Sequence, residues 1–274
     1  MSTSTEPLIG RADAPGLHVM SFNLRVGDPG LPDPWVDRRP AAAAVLRSEL
    51  PTVVGTQEGI YPQLQDLSAD LPDAYEWIGT GREGGSRGEF MAVFFDSERL
   101  TPREYDHFWL SDTPDTVGSS SWGNKVVRMA TWVRFTDHGT GRDLIVLNTH
   151  LDHAVAKAQL RGAELVAERI ADFDADLPVI VTGDFNVPAE ESEPYDVLVD
   201  GTGLLDTWLA ADDQRTQAYQ TFHGYDAGTL GGDRIDWILV RAGTRVRAAA
   251  INTRTFDGRW ASDHWPVQAL VELG

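Results

Sequence analysis

The sequence contains no cysteine, only two lysines among 274 residues, and no apolar run long enough to cross a bilayer. The absence of cysteine excludes disulfides and thiolate metal sites, so any metal must be held by oxygen or imidazole ligands. Carboxylate and amide oxygens favour hard ions such as Mg²⁺ or Mn²⁺. A bilayer span needs about 20 apolar residues, and the N-terminus lacks the basic and then apolar pattern of a signal peptide. We therefore expect a cytoplasmic protein with no membrane partner.

Positive charge is also scarce along the chain. The formal net charge is −19 at pH 7, and lysine occurs only at Lys125 and Lys157. DNA and RNA are normally bound by clusters of Lys and Arg, so nucleic acid is the less expected partner. An acidic surface still permits a locally basic pocket, because the field inside a cleft depends mainly on nearby charges.

The hydrophobic pattern predicts a single domain over residues 16–274, after a flexible N-terminal tail of residues 1–15 that is small, polar and rich in Pro and Gly. Helical periodicity predicts helices at 35–50, 61–71 and 153–173. Alternating or continuous apolar runs predict strands at 17–22, 52–55, 75–78, 90–95, 105–110, 126–135, 144–148, 179–182, 234–240, 245–252 and 265–271. Strands outnumber helices, which indicates two packed sheets with helices outside.

Five polar segments stand at the ends of apolar runs. They are Ser21-Phe22-Asn23, Thr56-Gln57-Glu58, Asn148-Thr149-His150, Gly183-Asp184-Phe185-Asn186 and Ser262-Asp263-His264. Carboxylates, amides and imidazoles are costly to place beside a hydrophobic core unless they bind a metal or do chemistry. The pattern therefore indicates a functional site built from strand ends.

Three of these side chains are candidate metal ligands. Asn23 and Glu58 emerge where two early strands end, and Asp263 lies next to the last strand. Each alone is typical of a turn, cap or surface residue. Together, oxygen donors at the ends of neighbouring strands indicate a site for a hard metal ion.

The remaining polar segments supply candidate acid–base groups. Asp184 and Asn186 flank Phe185, and an Asx turn is the alternative explanation for this pair. His150 and His264 stand at strand ends, and Asp236 lies on a neighbouring predicted strand. A carboxylate that accepts from one nitrogen of His264 would fix its tautomer and favour the charged ring.

These five segments and Ile235-Asp236-Trp237-Ile238 occur in a fixed order along nearly the whole chain. In that order they resemble the motifs of the endonuclease/exonuclease/phosphatase superfamily, whose members resemble pancreatic deoxyribonuclease in fold. Four further segments resemble a bacterial branch of hydrolases that is similar to some sugar-phosphate phosphatases and, more distantly, to deadenylases. These segments are Asn23-Leu24-Arg25, Trp35 to Arg39, Thr149 to His153 and Thr221-Phe222-His223-Gly224. The resemblance implies a four-layer α-β-β-α sandwich of two packed mixed sheets and a phosphate-ester hydrolase that uses Mg²⁺ or Mn²⁺.

The resemblance also implies roles for individual residues. Glu58 would be the principal metal ligand, assisted by Asn23 and Asp263. Asp184 would orient and deprotonate the attacking water, and Asn186 would hold water or a phosphate oxygen. The charge on the phosphoryl oxygens would be stabilised by His150 and by the His264–Asp236 pair.

The substrate is then predicted to be a small or medium phosphorylated molecule. Six side chains near these motifs are candidates to bind it: Arg25, Arg128, Lys125, His153, His223 and Trp122, with Trp35 and Tyr225 as further possible wall residues. Solvated surface charge and burial in the core are the alternatives for the cations and the aromatics. Two other functions stay open at this point: a nuclease that uses the same chemistry, and an inactive binding module on the same fold.

Overall fold

The computed structural model describes residues 6–226 and 229–274, and within them the chain forms twelve strands and five helices. The strands are β1 (Gly16–Asn23), β2 (Val53–Ile60), β3 (Tyr75–Ile78), β4 (Glu89–Asp96), β5 (Leu100–Trp109), β6 (Met129–Asp137), β7 (Arg142–His150), β8 (Val179–Asp184), β9 (Leu204–Asp206), β10 (Asp236–Arg241), β11 (Arg245–Ile251) and β12 (Val267–Glu272). The helices are α1 (Trp35–Glu49), α2 (Tyr61–Asp70), α3 (Ala156–Asp172), α4 (Glu193–Val199) and α5 (Thr207–Ala210). Three short elements, α4, β9 and α5, lie where the sequence predicts none.

The strands form two mixed sheets of six strands each. The first has the order β11-β12-β1-β2-β4-β3, and the second has the order β5-β6-β7-β8-β10-β9. The pairs β1–β2 and β7–β8 are parallel, so each pair brings two carboxyl strand ends to the same edge of its sheet. The polar segments predicted from the sequence follow these ends.

Apolar side chains fill three layers. The two sheets pack face to face through one cluster, which includes Leu17, Val19, Val53, Phe95, Val133, Val146, Ile180 and Ile238. A second cluster lies between the first sheet and α1 and α2, and a third lies between the second sheet and α3 and α4. The predicted four-layer α-β-β-α sandwich is confirmed.

Helix α3 shows how the sequence specifies this packing. Ala158, Gly162, Val166 and Ile170 recur every fourth residue and are all buried, because residues at that spacing share one helix face. The face packs on the second sheet, whose central strand β8 is buried on both sides. No described helix combines the length and the apolar character that crossing a membrane requires.

Part of the segment predicted as a flexible tail is anchored to α1. The backbone amides of Leu8, Ile9 and Gly10 donate to the buried Glu49 carboxylate over 2.8, 3.1 and 3.2 Å. Glu49 is the last residue of the helix, so these bonds fix the approach of the chain to β1.

Candidate active site

Three polar side chains of the second sheet lie in one register row. His150 at the end of β7 pairs with Asp184 at the end of β8, and Asp184 pairs with Asp236 at the start of β10. All three residues are buried. The sheet therefore holds an imidazole and two carboxylates side by side on three adjacent strands.

The first sheet contributes Asn23 and Glu58. Asn23 ends β1, and the pairing of β2 with β4 loses register between Thr56 and Gly59. Within this irregularity Glu58 adopts a φ of +61°, a left-handed conformation that costs a residue other than glycine about 1–2 kcal/mol. A bulge changes the direction of its side chains, which explains how Glu58 reaches Asn23 at the sheet edge.

A buried amide network joins the two sheets beneath these residues. Gln57 Nε2 and Thr182 Oγ1 donate to Asn148 Oδ1 at 2.7 and 3.1 Å, and Asn148 Nδ2 donates to the Thr56 carbonyl oxygen at 2.8 Å. A Cβ atom at Gly55 would lie 2.7 Å from Asn148 Oδ1 and would overlap Thr182 Oγ1. Glycine is therefore required where the sheets approach most closely.

Asn23 bridges the two principal carboxylates. Its Nδ2 donates to Glu58 Oε1 at 3.0 Å and to Asp184 Oδ2 at 2.9 Å, and its Oδ1 accepts from the Arg25 amide at 2.8 Å. The amide nitrogen faces the carboxylates here, so the predicted ligand role of Asn23 would require its oxygen to be turned toward them. Ligand atoms of Glu58, Asp184 and His264 lie within 4.8 Å of one another.

This donor set fits a divalent cation. Glu58 and Asp184 offer two carboxylates. Each accepts from Asn23 Nδ2 and from one backbone amide, that of Val26 or of Asn186, and both carboxylates keep lone pairs for a cation. Burial opposes ionisation of Glu58, but nearby His264 and the Asn23 hydrogen bond outweigh it and lower the pKa of Glu58. Burial and the neighbouring Asp236 raise the pKa of Asp184 to about 7. The two carboxylates therefore differ in proton affinity, as a metal ligand and a general base would.

The predicted contact between Asp236 and His264 is confirmed. His264 Nδ1 lies 2.9 Å from Asp236 Oδ2, and its Nε2 lies 3.8 Å from Asp184 Oδ2. Burial opposes the charged ring, but the two carboxylates outweigh it and raise the pKa of His264 to about 10. His264 is therefore an imidazolium near neutral pH and can neutralise negative charge in the site.

His150 has the opposite character. Arg128 cannot accept hydrogen bonds, so its NH1 donates to His150 Nδ1 at 2.9 Å and its NH2 donates to His153 Nδ1 at 3.2 Å. Because Nδ1 faces the Arg128 donor, a neutral His150 carries its proton on Nε2, which lies 3.3 Å from Asp184 Oδ2 and 2.9 Å from the Asn186 side-chain amide, whose oxygen must then face the ring. Burial and then the Arg128 charge hold the pKa of His150 well below its usual value. His150 is therefore a neutral donor.

Asn186 completes this group. It adopts a φ of +54°, its backbone amide donates to Asp184 Oδ1 at 3.0 Å, and its side-chain amide lies 2.9 Å from His150 Nε2. The Asx turn considered from the sequence is thus present, and it positions the Asn186 side chain against His150 as well.

These side chains surround one cavity of about 350 Å³. Eight residues predicted from the sequence line it: Glu58, Arg128, His150, His153, Asp184, Asn186, Asp263 and His264. The cavity therefore contains three carboxylates, those of Glu58, Asp184 and Asp263, together with the Arg128 cation. Positive charge is thus present inside the cavity although the net charge of the protein is −19.

Sequence reasoning missed three lining residues, Arg82, Glu89 and Phe222. Arg82 lies in a Gly-rich loop and Glu89 begins an apolar strand, so both are typical of ordinary surface charges in the sequence. Phe222 lies in the segment Thr221-Phe222-His223-Gly224, which carries part of the family resemblance. That membership is the one sequence signal that could have placed Phe222 at the site.

Several predicted substrate contacts lie elsewhere in the structure. Trp122 is buried in the core beside α3, with its indole N–H bonded to Asp112 Oδ1 at 2.8 Å, so the prediction that it forms a substrate wall is wrong. Trp35 is likewise buried. Lys125 is exposed and does not line the cavity, although the adjacent Val126 does.

His223 and Arg25 also lie outside the cavity lining. The buried His223 ring stacks on Trp265 at a centroid distance of 3.6 Å, and burial together with the charge of His264 lowers the pKa of His223 to about 4. Arg25 Nε lies 3.5 Å from Asp263 Oδ2, and the guanidinium covers the Tyr225 ring at 4.6 Å. Both residues support Asp263 and its surroundings and do not face the cavity.

The chain is thus a four-layer α-β-β-α sandwich with acidic and imidazole groups clustered at its strand ends. The family model described as Endonuclease/Exonuclease/phosphatase family matches residues 20–264. The chain therefore belongs to this family, whose members are hydrolases that include phosphatases and nucleases.

Solved structures of bacterial proteins are similar over almost the whole chain. A family protein from Bacteroides thetaiotaomicron has 32% identity and a TM-score of 0.88, covering 94% of this chain and 98% of that one. A mannosyl-6-phosphatase from the same species has 33% identity and a TM-score of 0.87, covering 93% and 99%. Protein angel of Drosophila melanogaster is 24% identical over 173 residues, which span 61% of this chain and 47% of that protein.

Proposed function

We propose that this protein hydrolyses a phosphate ester of a small or medium, sugar-like molecule and uses Mg²⁺ or Mn²⁺. The observation that carries the proposal is the cavity of about 350 Å³, in which Glu58, Asp184 and His264 lie together beside Arg128. A cavity of this size fits a compact ligand. The similarity to a mannosyl-6-phosphatase at 33% identity supports the same substrate class.

Glu58, with Asp263 nearby and the Asn23 amide beside it, would hold the metal ion, and Asp184 in the same cluster is left to act as the base. A bound divalent ion would act as a Lewis acid and would neutralise charge on the phosphoryl group. The oxygen-rich donor set and the absence of cysteine support Mg²⁺ or Mn²⁺ as this ion.

Asp184 is placed to take the proton of the attacking water. Its pKa of about 7 lies near neutral pH, where a general base is most effective. The water oxygen forms the new bond to phosphorus, the bond to the alcohol oxygen breaks, and the alcohol oxygen is protonated from solvent. Asn186, fixed by its bond to Asp184, helps to orient the water or a phosphate oxygen.

Charge on the phosphoryl oxygens would be met by His264, His150 and Arg128. His264 supplies an imidazolium braced by Asp236, and the neutral His150 supplies an N–H group. Arg128 Nε is buried and has no hydrogen-bond partner among the described residues, so it is available to an anion in the site. Preorganised donors of this kind are the main source of catalysis in phosphoryl transfer.

A substrate panel tests the proposal. The purified protein with Mn²⁺ would be assayed on hexose 6-phosphates, p-nitrophenyl phosphate, bis-p-nitrophenyl phosphate and single-stranded DNA and RNA at physiological salt. We expect hydrolysis of the sugar phosphate to dominate and the Asp184→Asn variant to lose about 10³-fold in kcat with its fold intact. Asp143→Asn changes a half-buried carboxylate near the start of β7, at the opposite end of the strand from His150, and is the control. Efficient cleavage of DNA or RNA by the wild type would instead establish a nuclease.

A further inference from the structure

We propose that the Arg82–Glu89 pair, together with Phe222, binds the leaving group of the substrate and selects one that carries neighbouring hydroxyl groups. This inference rests on the proposed phosphate-ester hydrolysis. It names the residues that determine specificity at the same site, and none of the three has a role in the phosphoryl-transfer steps described above.

Arg82 and Glu89 form an ion pair in the wall of the cavity. Arg82 NH1 lies 2.6 Å from Glu89 Oε2, and each side chain is only 15% exposed. Both residues line the cavity. Burying a charged pair is unfavourable unless its other polar atoms also find partners, so a pair held in a cavity wall without further partners calls for an explanation.

Polar atoms of the pair are left free for a ligand. Within residues 6–226 and 229–274, the Arg82 side chain has a hydrogen bond through NH1 alone, and the Glu89 side chain has one through Oε2 alone. Glu89 Oε1 and the Arg82 Nε and NH2 groups are therefore an acceptor and donors that remain available. Burial raises the pKa of Glu89 to about 7 in spite of the opposing charge of Arg82.

The backbone holds this pair rigidly. Glu89 begins β4 opposite Ile60 of β2, and the Arg82 amide donates to the Glu89 carbonyl oxygen at 2.9 Å. The Trp109 indole N–H donates to the Arg82 carbonyl oxygen at 2.7 Å. Recognition groups whose backbone is fixed by such hydrogen bonds lose little entropy when a ligand binds.

An adjacent donor and acceptor match a pair of neighbouring hydroxyls. One hydroxyl can donate to Glu89 while the oxygen of the next accepts from Arg82, and bonds to charged groups are the stronger kind. A second phosphate on the leaving group would meet the Glu89 carboxylate, which disfavours polyanions. The pair thus favours an uncharged polyhydroxylated leaving group, such as a sugar.

Phe222 provides an apolar surface in the same cavity. Its side chain is 49% exposed, and its ring lies 5.0 Å from the His264 ring between centroids. A large aromatic ring left this exposed beside charged groups can cover the C–H face of a sugar. Hydroxyl recognition by Arg82 and Glu89 and apolar contact with Phe222 together describe a carbohydrate subsite.

The test compares two substrates of similar size in matched variants. Hexose 6-phosphate carries the hydroxyls, and cyclohexylmethyl phosphate lacks them. We expect the wild type to prefer the hexose ester in kcat/KM. Arg82→Gln and Glu89→Gln should each reduce that preference at least tenfold, because a site built to bind hydroxyls discriminates strongly against an analogue without them. Arg134→Gln and Asp143→Asn, which break a remote pair joined at 2.8 Å, should keep the wild-type preference.

Two conservative variants show whether a loss comes from misfolding, and two variants at Phe222 test the apolar part of the subsite separately. Arg82→Lys and Glu89→Asp keep both charges, and we expect an intermediate preference from them. Phe222→Ala should raise KM for both substrates at least fivefold, while Phe222→Leu should raise it less.

The possible outcomes distinguish this inference from the proposed function. Equal losses on both substrates, or a wild type without preference between them, would overturn the role of Arg82 and Glu89 while phosphatase activity stands. An unchanged KM in Phe222→Ala would overturn the apolar surface. A wild type that hydrolyses neither ester, yet folds and binds Mn²⁺, would refute the proposed function itself, and this inference with it.

Discussion

Asn148 Oδ1 accepts a 2.7 Å hydrogen bond from Gln57 Nε2 across the interface between the two sheets. Gln57 immediately precedes Glu58, and Asn148 lies two residues before His150. One buried amide pair therefore fixes the distance between the sheet that carries Glu58 and the sheet that carries His150 and Asp184.

Asn148→Ala should therefore destabilise the protein by about 3 kcal/mol. The substitution leaves a cavity and removes partners from Gln57 Nε2, Thr182 Oγ1 and the Thr56 carbonyl oxygen. Urea unfolding followed by tryptophan fluorescence measures the change. Gln65→Ala on the exposed face of α2 is the control, and we expect it to stay within about 0.5 kcal/mol of the wild type. Equal stabilities for the two variants would mean that the network contributes little.

Glu58→Gln should weaken the binding of Mn²⁺ at least tenfold. Glu58 is ionised at neutral pH because His264 and Asn23 stabilise its charge, and a neutral amide is a poorer ligand for a hard cation. Isothermal calorimetry on the metal-free protein gives the dissociation constant. Glu76→Gln removes an exposed carboxylate from β3 and should leave binding unchanged. Wild-type affinity in Glu58→Gln would rule Glu58 out as a ligand.

Asp236→Asn should lower both the pKa of His264 and the rate of hydrolysis. The pKa of His264 is raised to about 10 by Asp236 and Asp184, so loss of one carboxylate moves it toward its ordinary value of 6.5. NMR titration of the imidazole in the metal-free protein would report the change, and kcat should fall about 10²-fold or more. Asp106→Asn, an exposed carboxylate next to His107, is the matched control. An imidazole that still titrates near pH 10 in Asp236→Asn would show that Asp184 alone sustains the charge.

His18 should make the fold sensitive to mild acid. The ring lies between the Gly10 carbonyl oxygen at 2.8 Å and the Gln268 side-chain amide at 2.9 Å, and burial lowers its pKa from 6.5 despite the opposing charge of Glu49. The unfolded chain then binds a proton that the folded chain lacks, so the free energy of unfolding falls as pH decreases below about 6.5.

Urea unfolding at pH 7.5 and pH 5.5 measures this effect. We expect the decrease in unfolding free energy between these values to be about 1 kcal/mol smaller in His18→Gln than in the wild type. His138→Gln removes an exposed histidine and should show the wild-type decrease. The same decrease in all three proteins would assign acid sensitivity to other groups.

Much of the fold follows from the sequence because its signals are local. Val179-Ile180-Val181 is short, β-branched and continuous, which favours a buried strand, and the fourfold spacing of apolar residues in α3 is typical of one helix face. The site residues Asn23, Glu58, His150, Asp184 and His264 could be predicted for the same reason, since each stands at one end of an apolar run.

The residues that were missed depend on pairing between distant segments. Arg82 and Glu89 become a buried pair only when the loop before β4 folds back on that strand, and a loop arginine carries no local sign of this. For Trp122 the sequence predicted a substrate contact where the structure has a core residue. Asp112 accepts the hydrogen bond of the indole N–H, so the ring can be buried in the core. The short elements α4, β9 and α5 are held by tertiary packing, which a hydrophobic pattern does not reveal.

His150, Asp184 and Asp236 lie in one register row, so the site forms only when β7, β8 and β10 pair in the correct register. A shift of β10 by one residue would preserve its strand content and most of its hydrogen bonds, yet it would turn Asp236 to the opposite face of the sheet. His264 would then lose its charged partner. A preparation can thus show the full strand content by circular dichroism and still be inactive. Its specific activity would therefore report the fraction of molecules in which the strands are paired in the native register.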